Sequence, residues 1–406
     1  MVQALREAMR ATAADIAKWP RRRVRLFHHN DSDGLTSGAI LTRAFGRAGF
    51  EVRRSCLEKP YPKVLARVFE EEGELIVFAD FAGRIAPMIS ELNAGRNLTI
   101  ILDHHKASPA TDPMVRNLDP ELFGLKGDRD ITASTTCYLF ACQMDSANRD
   151  LAPVAALGAV GDGFFVEGRL ASENRRVAEE AARRGALRIV ESGDGEDYIL
   201  ETPRGPVRCA ELGAYLDTLG GAGYYRSGPD MGVRVCLEGA DEASDEMLRE
   251  LEATQQRVFQ DQIRRLRQGG DLHKTAHIQW FQVGERFSPM GVKMIGVFCE
   301  MYRNADFFDP ARFIAGFQVI PNHIPGFGDI RFDEVKISMR VSDRLQADIQ
   351  SGRAPGLDTF LPKATGRLGG FSDACHSLTA ATTVAIGKEA ALIAEMEKIL
   401  RQSSYP

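Results

Sequence analysis

The sequence predicts an α/β fold in which a three-layer, parallel-sheet domain is joined by a long helix to a smaller α/β domain. Between residues 23 and 103, short apolar runs alternate with amphipathic segments, the pattern of parallel strands joined by helical crossovers. Acids or histidines stand at the ends of three of these runs, and a long charged stretch separates this part from the remainder. We therefore expect a site at the carboxyl edge of the first sheet.

The elements of the first part follow from hydrophobic period and from Gly and Pro punctuation. A helix over 2–18 ends at Trp19-Pro20, because the residue before a proline disfavours helical backbone. Strands are predicted over 23–29, 50–56, 74–81 and 97–103, and helices over 35–48, 60–72 and 83–94.

The later part of the chain has a different sequence pattern. Residues 134 to about 185 are mostly helical in pattern, with a break at 158–163, and the charged stretch 241–268 predicts a connecting helix that ends at Gly269-Gly270. Strand-like runs follow at 276–282, 292–299, 313–320 and 335–341, before a last helix at roughly 378–402. The predicted domains are 1–240 (catalytic), 241–270 (connecting helix) and 271–406 (substrate-binding).

Composition limits the class of protein. The 406 residues are 44% hydrophobic and 26% charged, with a net charge of −5, which argues against a broadly basic nucleic-acid binder. The seven cysteines never form a C-x-x-C pair, so we expect no disulfide framework or zinc ribbon. There is neither a signal-type apolar core nor the run of about 20 apolar residues that a membrane span needs. We expect a cytoplasmic protein with no membrane partner.

Two aspartates follow the first strand. Asp31 and Asp33 lie two apart on a loop, with Gly34 beside them and His29 before them. In a turn, two such carboxylates can converge on one centre or hold two adjacent metal ions. The helix that follows adds a positive N-terminal field suited to phosphate. Taken alone, the motif is equally typical of a helix-entry loop with capping acids.

Other acids and histidines stand at matching places. Adjacent histidines on a strand point to opposite faces, so packing alone explains His104 and His105 poorly. Asp80 ends an apolar run, where an unpartnered buried acid would be costly. Asp162 lies between two glycines, although an ordinary helix C-cap is the competing interpretation. Carboxylate and imidazole ligands suit Mn²⁺, Mg²⁺ or Zn²⁺.

This ordered set of motifs resembles the DHH phosphoesterase superfamily, which includes RecJ-type exonucleases, nanoRNases, pApA phosphodiesterases and family II pyrophosphatases. The likeness is strong over 25–165. It implies two Mn²⁺ ions, or Mg²⁺ or another divalent metal, with His105 at the scissile phosphate and Asp103 orienting the histidines. The ligands implied for one ion are His29, Asp31 and Asp80, and those for the other are Asp33, Asp80, His104 and Asp162.

The second domain is similar to the substrate-binding domain of the same superfamily, with one departure. The usual compact Gly-Gly-Gly-His is stretched, so that the glycines stand further from the histidine. Base-stacking candidates are Tyr224, Tyr225, Phe327 and Phe371, although most aromatics are expected in the core. The substrate-binding residues implied by the resemblance are Arg340, Arg367, Gly369, Gly370 and His376.

These features predict a metal-dependent phosphodiesterase that hydrolyses short oligonucleotides or linear dinucleotides. The first alternative is a single-strand-specific 5′ exonuclease of the compact RecJ-like type, and its partner would be single-stranded nucleic acid. A pyrophosphatase is disfavoured because Phe27 stands where that group has its first histidine. A catalytically inactive nucleic-acid or replication-associated binding protein is the alternative from another class. A homodimer is compatible with every one of these interpretations.

Overall fold

The chain forms two units in a computed structural model that describes residues 2–193 and 195–402, with side chains at all of these except 373 and 374. The first unit comprises the described residues up to Leu251 together with Pro325–Phe327, and the second comprises Glu252–Ile324 and the described residues from Gly328 onward. The division lies inside a long helix, Glu242–Arg267. The domain boundaries at 240 and 270 stay a prediction.

The first unit is built on a parallel sheet of five strands covered by helices on both faces. Two of its three inner strands, Leu75–Ala79 and Leu98–Leu102, are buried along their whole length, as expected for strands between two helical layers. In chain order the elements are α1 (Val2–Ala17), β1 (Arg23–His28), α2 (Ser32–Arg47), β2 (Glu51–Cys56), α3 (Pro62–Val68), β3 (Leu75–Ala79), α4 (Ala86–Asn93), β4 (Leu98–Leu102), β5 (Val115–Asn117), α5 (Ala133–Met144), α6 (Ala152–Asp162), α7 (Ser172–Arg183), β6 (Leu187–Ser192), β7 (Gly195–Thr202), β8 (Gly205–Arg208), α8 (Cys209–Gly221), α9 (Gly228–Glu238) and α10 (Glu242–Arg267).

The strand order β2-β1-β3-β4-β5 brings three predicted ligand-bearing strands together at the centre of the sheet. The strands β1, β3 and β4 are parallel neighbours in register, with His28 opposite Ala79 and Ala79 opposite Leu102. Their carboxyl ends therefore lie side by side at one edge. A separate three-stranded antiparallel sheet, β6-β7-β8, lies between α7 and α8 in the chain.

The second unit is a six-stranded mixed sheet packed against helices. Its core is formed by buried side chains such as Ile337, Phe360 and Met396. The strand order is β15-β16-β14-β11-β10-β9, and among its pairs only that of β10 with β11 is parallel within the described chain. The elements are β9 (His273–Lys274), β10 (Ile278–Gly284), α11 (Met294–Met301), β11 (Phe313–Val319), β12 (His323–Ile324), β13 (Gly328–Asp329), β14 (Glu334–Arg340), α12 (Asp343–Gln350), α13 (Leu357–Arg367), β15 (Phe371–Cys375), β16 (Thr379–Ala385) and α14 (Glu389–Gln402).

The α/β class and the parallel first sheet are confirmed, whereas two elements of the second unit were predicted wrongly. The run 292–299 was expected to be a strand and is the helix α11. A short, continuously apolar run suits a buried helix as well as a buried strand, because it has no period to separate them. The last helix was expected from 378 but begins at Glu389, since the β-branched segment 379–385 pairs along its length with β14.

Among the helices of the described residues, none has both the length and the apolar composition that spanning a lipid bilayer requires.

Candidate metal centre

The carboxyl ends of β1, β3 and β4 carry a cluster of acids and histidines. His29 and Asp31 follow β1, Asp80 follows β3, and His104 lies two residues after β4. Because the three strands are adjacent and parallel, these side chains converge without any long loop. Three groups of ligand atoms, each within 4.8 Å of one another, lie at this edge in the described chain. The groups are His29, Asp31 and Asp80; Asp33, His104 and Asp162; and Asp80, Asp103, His104 and His105.

The first group centres on His29. Its Nδ1 atom lies 2.8 Å from Oδ2 of Asp31 and 3.3 Å from Oδ2 of Asp80. Its Nε2 atom lies 3.2 Å from the carbonyl oxygen of Glu58, which holds the ring at its far side. The other oxygen of Asp31 accepts from the backbone N–H of Gly34 at 3.0 Å and so caps α2. Asp31 is thus both a helix cap and a candidate metal ligand, so the capping and the metal-binding interpretations of this motif are compatible.

The second group centres on His104. Its Nε2 atom lies 3.5 Å from Oδ1 of Asp80, 3.7 Å from Oδ2 of Asp162 and 3.8 Å from Oδ2 of Asp33. The Nδ1 atom lies 2.9 Å from the carbonyl oxygen of Gly127. Burial opposes charge on this ring, but the carboxylates of Asp162, Asp80 and Asp33 raise the pKa of His104 well above its ordinary value. With a metal ion bound, a proton on Nδ1 would donate to the carbonyl of Gly127 and the lone pair of Nε2 would face the ion. His104 is therefore oriented as a metal ligand would be.

Asp80 connects the two groups. Its Oδ2 atom faces His29 and its Oδ1 atom faces His104, so the two oxygens of one carboxylate point to different clusters. The backbone of Asp80 has φ of 65°, a left-handed conformation that aspartate tolerates better than most residues. The side chain is only 3% exposed. This is the arrangement expected of a carboxylate that bridges two metal ions.

Backbone N–H groups that sequence reasoning did not identify hold Asp33. The first turn of α5 donates to both of its oxygens, from Ala133 at 2.8 Å and from Ser134 at 2.9 Å. A helix N-terminus favours a carboxylate at this position. The signal available in the sequence was Thr132, whose side chain caps α5.

Two glycines allow α6 to carry Asp162 into the site. A Cβ at Gly158 would lie 2.2 Å from Oγ1 of Thr36, and one at Gly161 would lie 2.3 Å from Oγ of Ser32. Only residues without a side chain permit α6 to approach the first two turns of α2 so closely. Asp162 is the last residue of α6 and precedes a left-handed Gly163. It is therefore both the helix end and a member of the cluster.

Within the third group, Asp103 and His105 form a hydrogen-bonded pair. Nδ1 of His105 lies 2.8 Å from Oδ1 of Asp103, whose Oδ2 accepts from the backbone N–H of Gly83 at 2.8 Å. Burial opposes charge on both groups, but their mutual attraction outweighs it: Asp103 raises the pKa of His105 to about 9, and His105 lowers the pKa of Asp103. His105 is therefore protonated near neutral pH and can donate to an anion.

The charges of the cluster fit a divalent cation. Burial, together with the carboxylates of Asp80 and Asp162, raises the pKa of Asp33 well above its ordinary value. Burial also raises the pKa of Asp162 to about 6, and its buried Oδ2 accepts no hydrogen bond from any described residue. A metal ion among these oxygens would offset the repulsion and satisfy that acceptor. The oxygen and imidazole donors suit Mn²⁺, Mg²⁺ or Zn²⁺.

His28, the neighbour of His29, takes no part in the cluster. It is 1% exposed, and burial lowers its pKa to about 4. A Cβ at Gly38 would lie 2.7 Å from its ring, so the imidazole is packed against α2. The pair of histidines is thus divided between core and site, as the alternation of a strand requires.

The five substrate-binding residues predicted in the second unit do not form one cluster. Thr379 of β16 pairs with Arg340, and its carbonyl accepts from the backbone N–H of His376 at 2.8 Å. The glycines 369 and 370 precede Phe371, which pairs with Thr383 at the other end of β16. Four residues of strand separate the two ends, roughly 13 Å at ~3.3 Å per residue. The five residues therefore fall into two groups: Arg340 with His376, and Arg367 with Gly369 and Gly370.

Two of these residues also have partners within the unit. Nε of Arg340 lies 2.9 Å from Oε2 of Glu300, and Arg367 forms an ion pair with Glu395. The side chain of Arg340 is 18% exposed, whereas that of Arg367 is 50% exposed. Of the two, Arg367 is the more accessible to a phosphate. Among the stacking candidates, Tyr224 is buried at 2% exposure, and its hydroxyl donates to the carbonyl of Cys56.

Comparison with known proteins gives a relative of unknown activity. No protein-family model matches the chain. A segment of 148 residues is 36% identical to an uncharacterized protein of Methanocaldococcus jannaschii, covering 34% of this chain and 32% of that protein. The chain thus spans about a third of that relative, and this likeness carries no activity with it.

Solved structures similar to this chain cover nearly all of it. RecJ from Thermus thermophilus, in complex with Mn²⁺, has a TM-score of 0.65 at 18% identity, over 98% of this chain and 55% of that chain. The DHH domain of a member of the s1p family of ribosomal proteins has a TM-score of 0.64 at 15% identity, over 98% and 91%. CDC45 from Entamoeba histolytica has a TM-score of 0.56 at 10% identity, over 98% of both chains.

At these identities, the structural likeness establishes the fold and not the activity. The chain spans about half the length of the Thermus RecJ that it matches. The resemblance predicted from the motifs is confirmed at the level of the fold: this chain shares the fold of RecJ and of the DHH-domain structure.

Proposed function

We propose that the chain is a divalent-metal-dependent phosphodiesterase that hydrolyses short oligonucleotides or linear dinucleotides. The observation that carries the proposal is the placement of Asp80, whose two oxygens face His29 and His104 in adjacent ligand groups. A shared carboxylate between two groups of oxygen and imidazole donors is what a two-metal hydrolase needs. The proposed ligands are those predicted from the motifs: His29, Asp31, Asp33, Asp80, His104 and Asp162.

The chain's own groups would position a phosphate and balance its charge. Two bound Mn²⁺ or Mg²⁺ ions would supply an activated water and neutralise developing negative charge. His105 would donate a hydrogen bond to a phosphate oxygen, because the carboxylate of Asp103 keeps it protonated near neutral pH. Asp103 itself holds the ring in place through Nδ1, so its role is positioning.

The second candidate is a single-strand-specific 5′ exonuclease of the compact RecJ-like type. It is favoured by the likeness to Thermus RecJ over 98% of this chain. The net charge of −5 favours short substrates instead, since a short substrate requires few phosphate contacts. The two candidates share the metal centre and differ in the length of strand that is bound.

The third candidate is an inactive binding protein. It is considered because the chain also shares its fold with CDC45. A scaffold without catalysis has no need to keep buried carboxylates in mutual repulsion. Here Asp33 and Asp80 are both buried at 3% exposure or less. The presence of the whole ligand set therefore supports an enzyme over a scaffold.

The proposed compartment is a reducing cytoplasm, because the seven cysteines are scattered along the chain and never form a C-x-x-C pair. The substrate-binding role of residues 271–406 and a homodimeric assembly are part of the same proposal. The ion identity, with Mn²⁺ favoured over Mg²⁺, also belongs to it.

The test is Mn²⁺-dependent hydrolysis across a length series of pApA, RNA and DNA of two to five nucleotides, and a single-stranded 20-mer. Rates that peak at two to five nucleotides and collapse on the 20-mer support the first candidate. Processive trimming of the 20-mer from its 5′ end supports the second. No hydrolysis of any substrate with Mn²⁺, Mg²⁺ or Zn²⁺ contradicts both and favours the inactive protein.

A further inference from the structure

The segment that follows Asp162 presents two adjacent phenylalanines beside the metal centre. Gly163 ends α6 in a left-handed conformation, and Phe164 and Phe165 come next. The ring of Phe164 lies edge-on to the ring of His104, with 6.1 Å between their centroids. Phe164 therefore contacts one of the proposed ligands, and Phe165 is its neighbour in the chain.

Phe165 is one of the large apolar residues that are exposed to solvent. It is 39% exposed, and the next residue, Val166, is 38% exposed, so two large apolar side chains stand in water side by side. One side of Phe165 packs on Tyr198, with ring centroids 6.4 Å apart and planes at 30°. The rest of its ring is open to solvent, and its backbone directly follows that of Phe164, whose ring contacts His104.

The segment is held firmly, so this exposure is a fixed feature of the structure. Val166 and Arg169 exchange backbone hydrogen bonds of 2.8 and 3.0 Å, which close a two-residue turn. The turn residues Glu167 and Gly168 have φ of 51° and 72°, the backbone of a tight hairpin. The carbonyl of Gly168 accepts from the backbone N–H of Glu196 at 3.0 Å, which ties the turn to β7.

The support beneath Phe165 is equally well bonded. The hydroxyl of Tyr198 accepts from the backbone N–H of Leu170 at 2.9 Å and donates to Oε2 of Glu196 at 2.7 Å. Arg169 pairs with Glu191 at 2.9 Å and with Glu196 at 3.4 Å. The aromatic surface is thus already ordered in the folded protein, so ligand binding would cost little conformational entropy there.

We propose that Phe164 and Phe165 form a stacking platform for the nucleobase next to the scissile phosphate. This inference rests on the proposed phosphodiesterase function and deepens it by naming the substrate class. A flat apolar surface beside a phosphate-binding centre suits a nucleotide ester, which joins a planar base to a phosphate. Inorganic polyphosphates and base-free phosphodiesters offer nothing to stack. The platform therefore makes the enzyme selective for base-bearing substrates without choosing among the bases.

The first experiment compares a trinucleotide with the same strand carrying a tetrahydrofuran abasic unit at each position in turn. The wild type is expected to favour the base-bearing strand by about tenfold or more in kcat/KM, with the largest loss at one position. Phe165→Leu keeps an apolar side chain without an aromatic face and is expected to bring that ratio close to one. Phe165→Tyr restores the face and is expected to restore the ratio.

A matched control comes from the β6-β7 hairpin. Val190 is 40% exposed and follows Ile189, the cross-strand partner of Tyr198, so it lies on the opposite face of the hairpin from Tyr198. Val190→Ala should keep the wild-type ratio. A ratio near one in the wild type, or a full ratio in Phe165→Leu, would overturn the platform while leaving the hydrolase intact.

A binding measurement separates this inference from the proposed function. A trinucleotide with 2-aminopurine at the sensitive position, or at each position in turn if no hydrolysis occurs, is mixed with the protein and Ca²⁺ in place of Mn²⁺. Stacking should quench its fluorescence in the wild type and in Phe165→Tyr, but not in Phe165→Leu. Quenching without hydrolysis under any metal would keep the platform and reject the phosphodiesterase. Equal fluorescence in all three proteins would reject the platform, whatever the hydrolysis shows.

Discussion

Oδ1 of Asp80 lies 3.5 Å from Nε2 of His104, across the boundary between two neighbouring parallel strands. Neither residue could be brought to this distance by local sequence, since the two are far apart along the chain. Strand pairing does it, because β3 and β4 end at the same edge of the sheet. The same relationship makes Asp80 the residue on which the proposed chemistry depends most.

Asp80→Asn should abolish hydrolysis with every divalent metal, by at least about 100-fold, because an amide cannot bridge two cations. Asparagine also tolerates the left-handed backbone at this position, so the fold should persist. The measurement is Mn²⁺-dependent turnover of the preferred substrate, with Mn²⁺ stoichiometry determined by calorimetry. Asp112→Asn, at a buried aspartate bonded to Asn93, serves as the matched control and should retain turnover. Substantial turnover in Asp80→Asn would contradict the two-metal assignment.

His105→Ala should lower kcat by about 10²–10⁴-fold while changing Mn²⁺ affinity little, because its imidazole is assigned to the phosphate. Asp103→Asn should reduce kcat less, since it removes the orienting carboxylate but leaves the ring. Single-turnover kinetics and Mn²⁺ titration of both variants check this pair. If His105→Ala loses its metal instead, the assignments of His104 and His105 are exchanged.

Asp162→Asn should stabilise the metal-free protein and remove the benefit of metal. At pH 8 in a chelator, the wild type keeps a charged carboxylate that repels its neighbours, since desolvation has raised the pKa of that group only to about 6. The neutral amide lacks this cost, so its melting temperature should equal or exceed that of the wild type. With Mn²⁺ at about 100 times its dissociation constant, the wild type should gain about 2.7 kcal/mol and overtake the variant. A wild type that melts at the same temperature with and without Mn²⁺ would argue against a metal site.

Glu397→Gln should destabilise the second unit at pH 7 by about 2 kcal/mol, because the buried carboxylate holds α14 through charge-assisted bonds. Its Oε2 lies 2.8 Å from Nδ1 of His277, and its Oε1 accepts from the backbone N–H of His277 at 2.8 Å. Burial opposes the charge, but the bonds from His277 and Thr275 lower the pKa of Glu397 below its ordinary value of 4.5.

The pH dependence of that loss has a definite sign. A carboxyl group with a lowered folded pKa contributes stability above its unfolded pKa and loses it as pH falls through the folded pKa. The difference between wild type and Glu397→Gln should therefore be full at pH 7 and shrink below about pH 4.5. Urea unfolding at a series of pH values measures it, with Glu395→Gln on the same helix as the comparison. A difference that stays constant down to pH 3 would contradict the role given to the charge.

The first sheet was predictable because its signals are local. Apolar runs bounded by Gly and Pro predicted β1, β3 and β4, and the acids at their ends followed from the rule that parallel strands share an edge. The contacts that hold the ligands were not predictable in the same way. The N–H groups of Ala133 and Ser134 reach Asp33 across 100 residues of chain, and no periodicity reports such a meeting.

The fold of the second unit was harder to predict from the sequence, because it depends on packing between distant segments. The helix α11 is apolar and contains Gly296, whose Cβ would lie 3.1 Å from Oγ of Ser338, so its close packing on β14 decides its conformation. That packing cannot be read from residues 292–299 alone. The separation of Arg340 from Gly369 and Gly370 likewise depends on the register of β15 with β16, which the sequence does not state.

The left-handed backbone of Asp80 has a consequence for the descent of this chain. Several described non-glycine residues have a positive φ, and among them Asp80, with φ of 65°, is a proposed metal ligand whose backbone costs about 1 kcal/mol or more relative to glycine. A lineage that loses the hydrolytic reaction would be free to relax this cost, and glycine or asparagine would be the favoured replacements. The residue found at position 80 in orthologues should therefore record which of them still carry out catalysis.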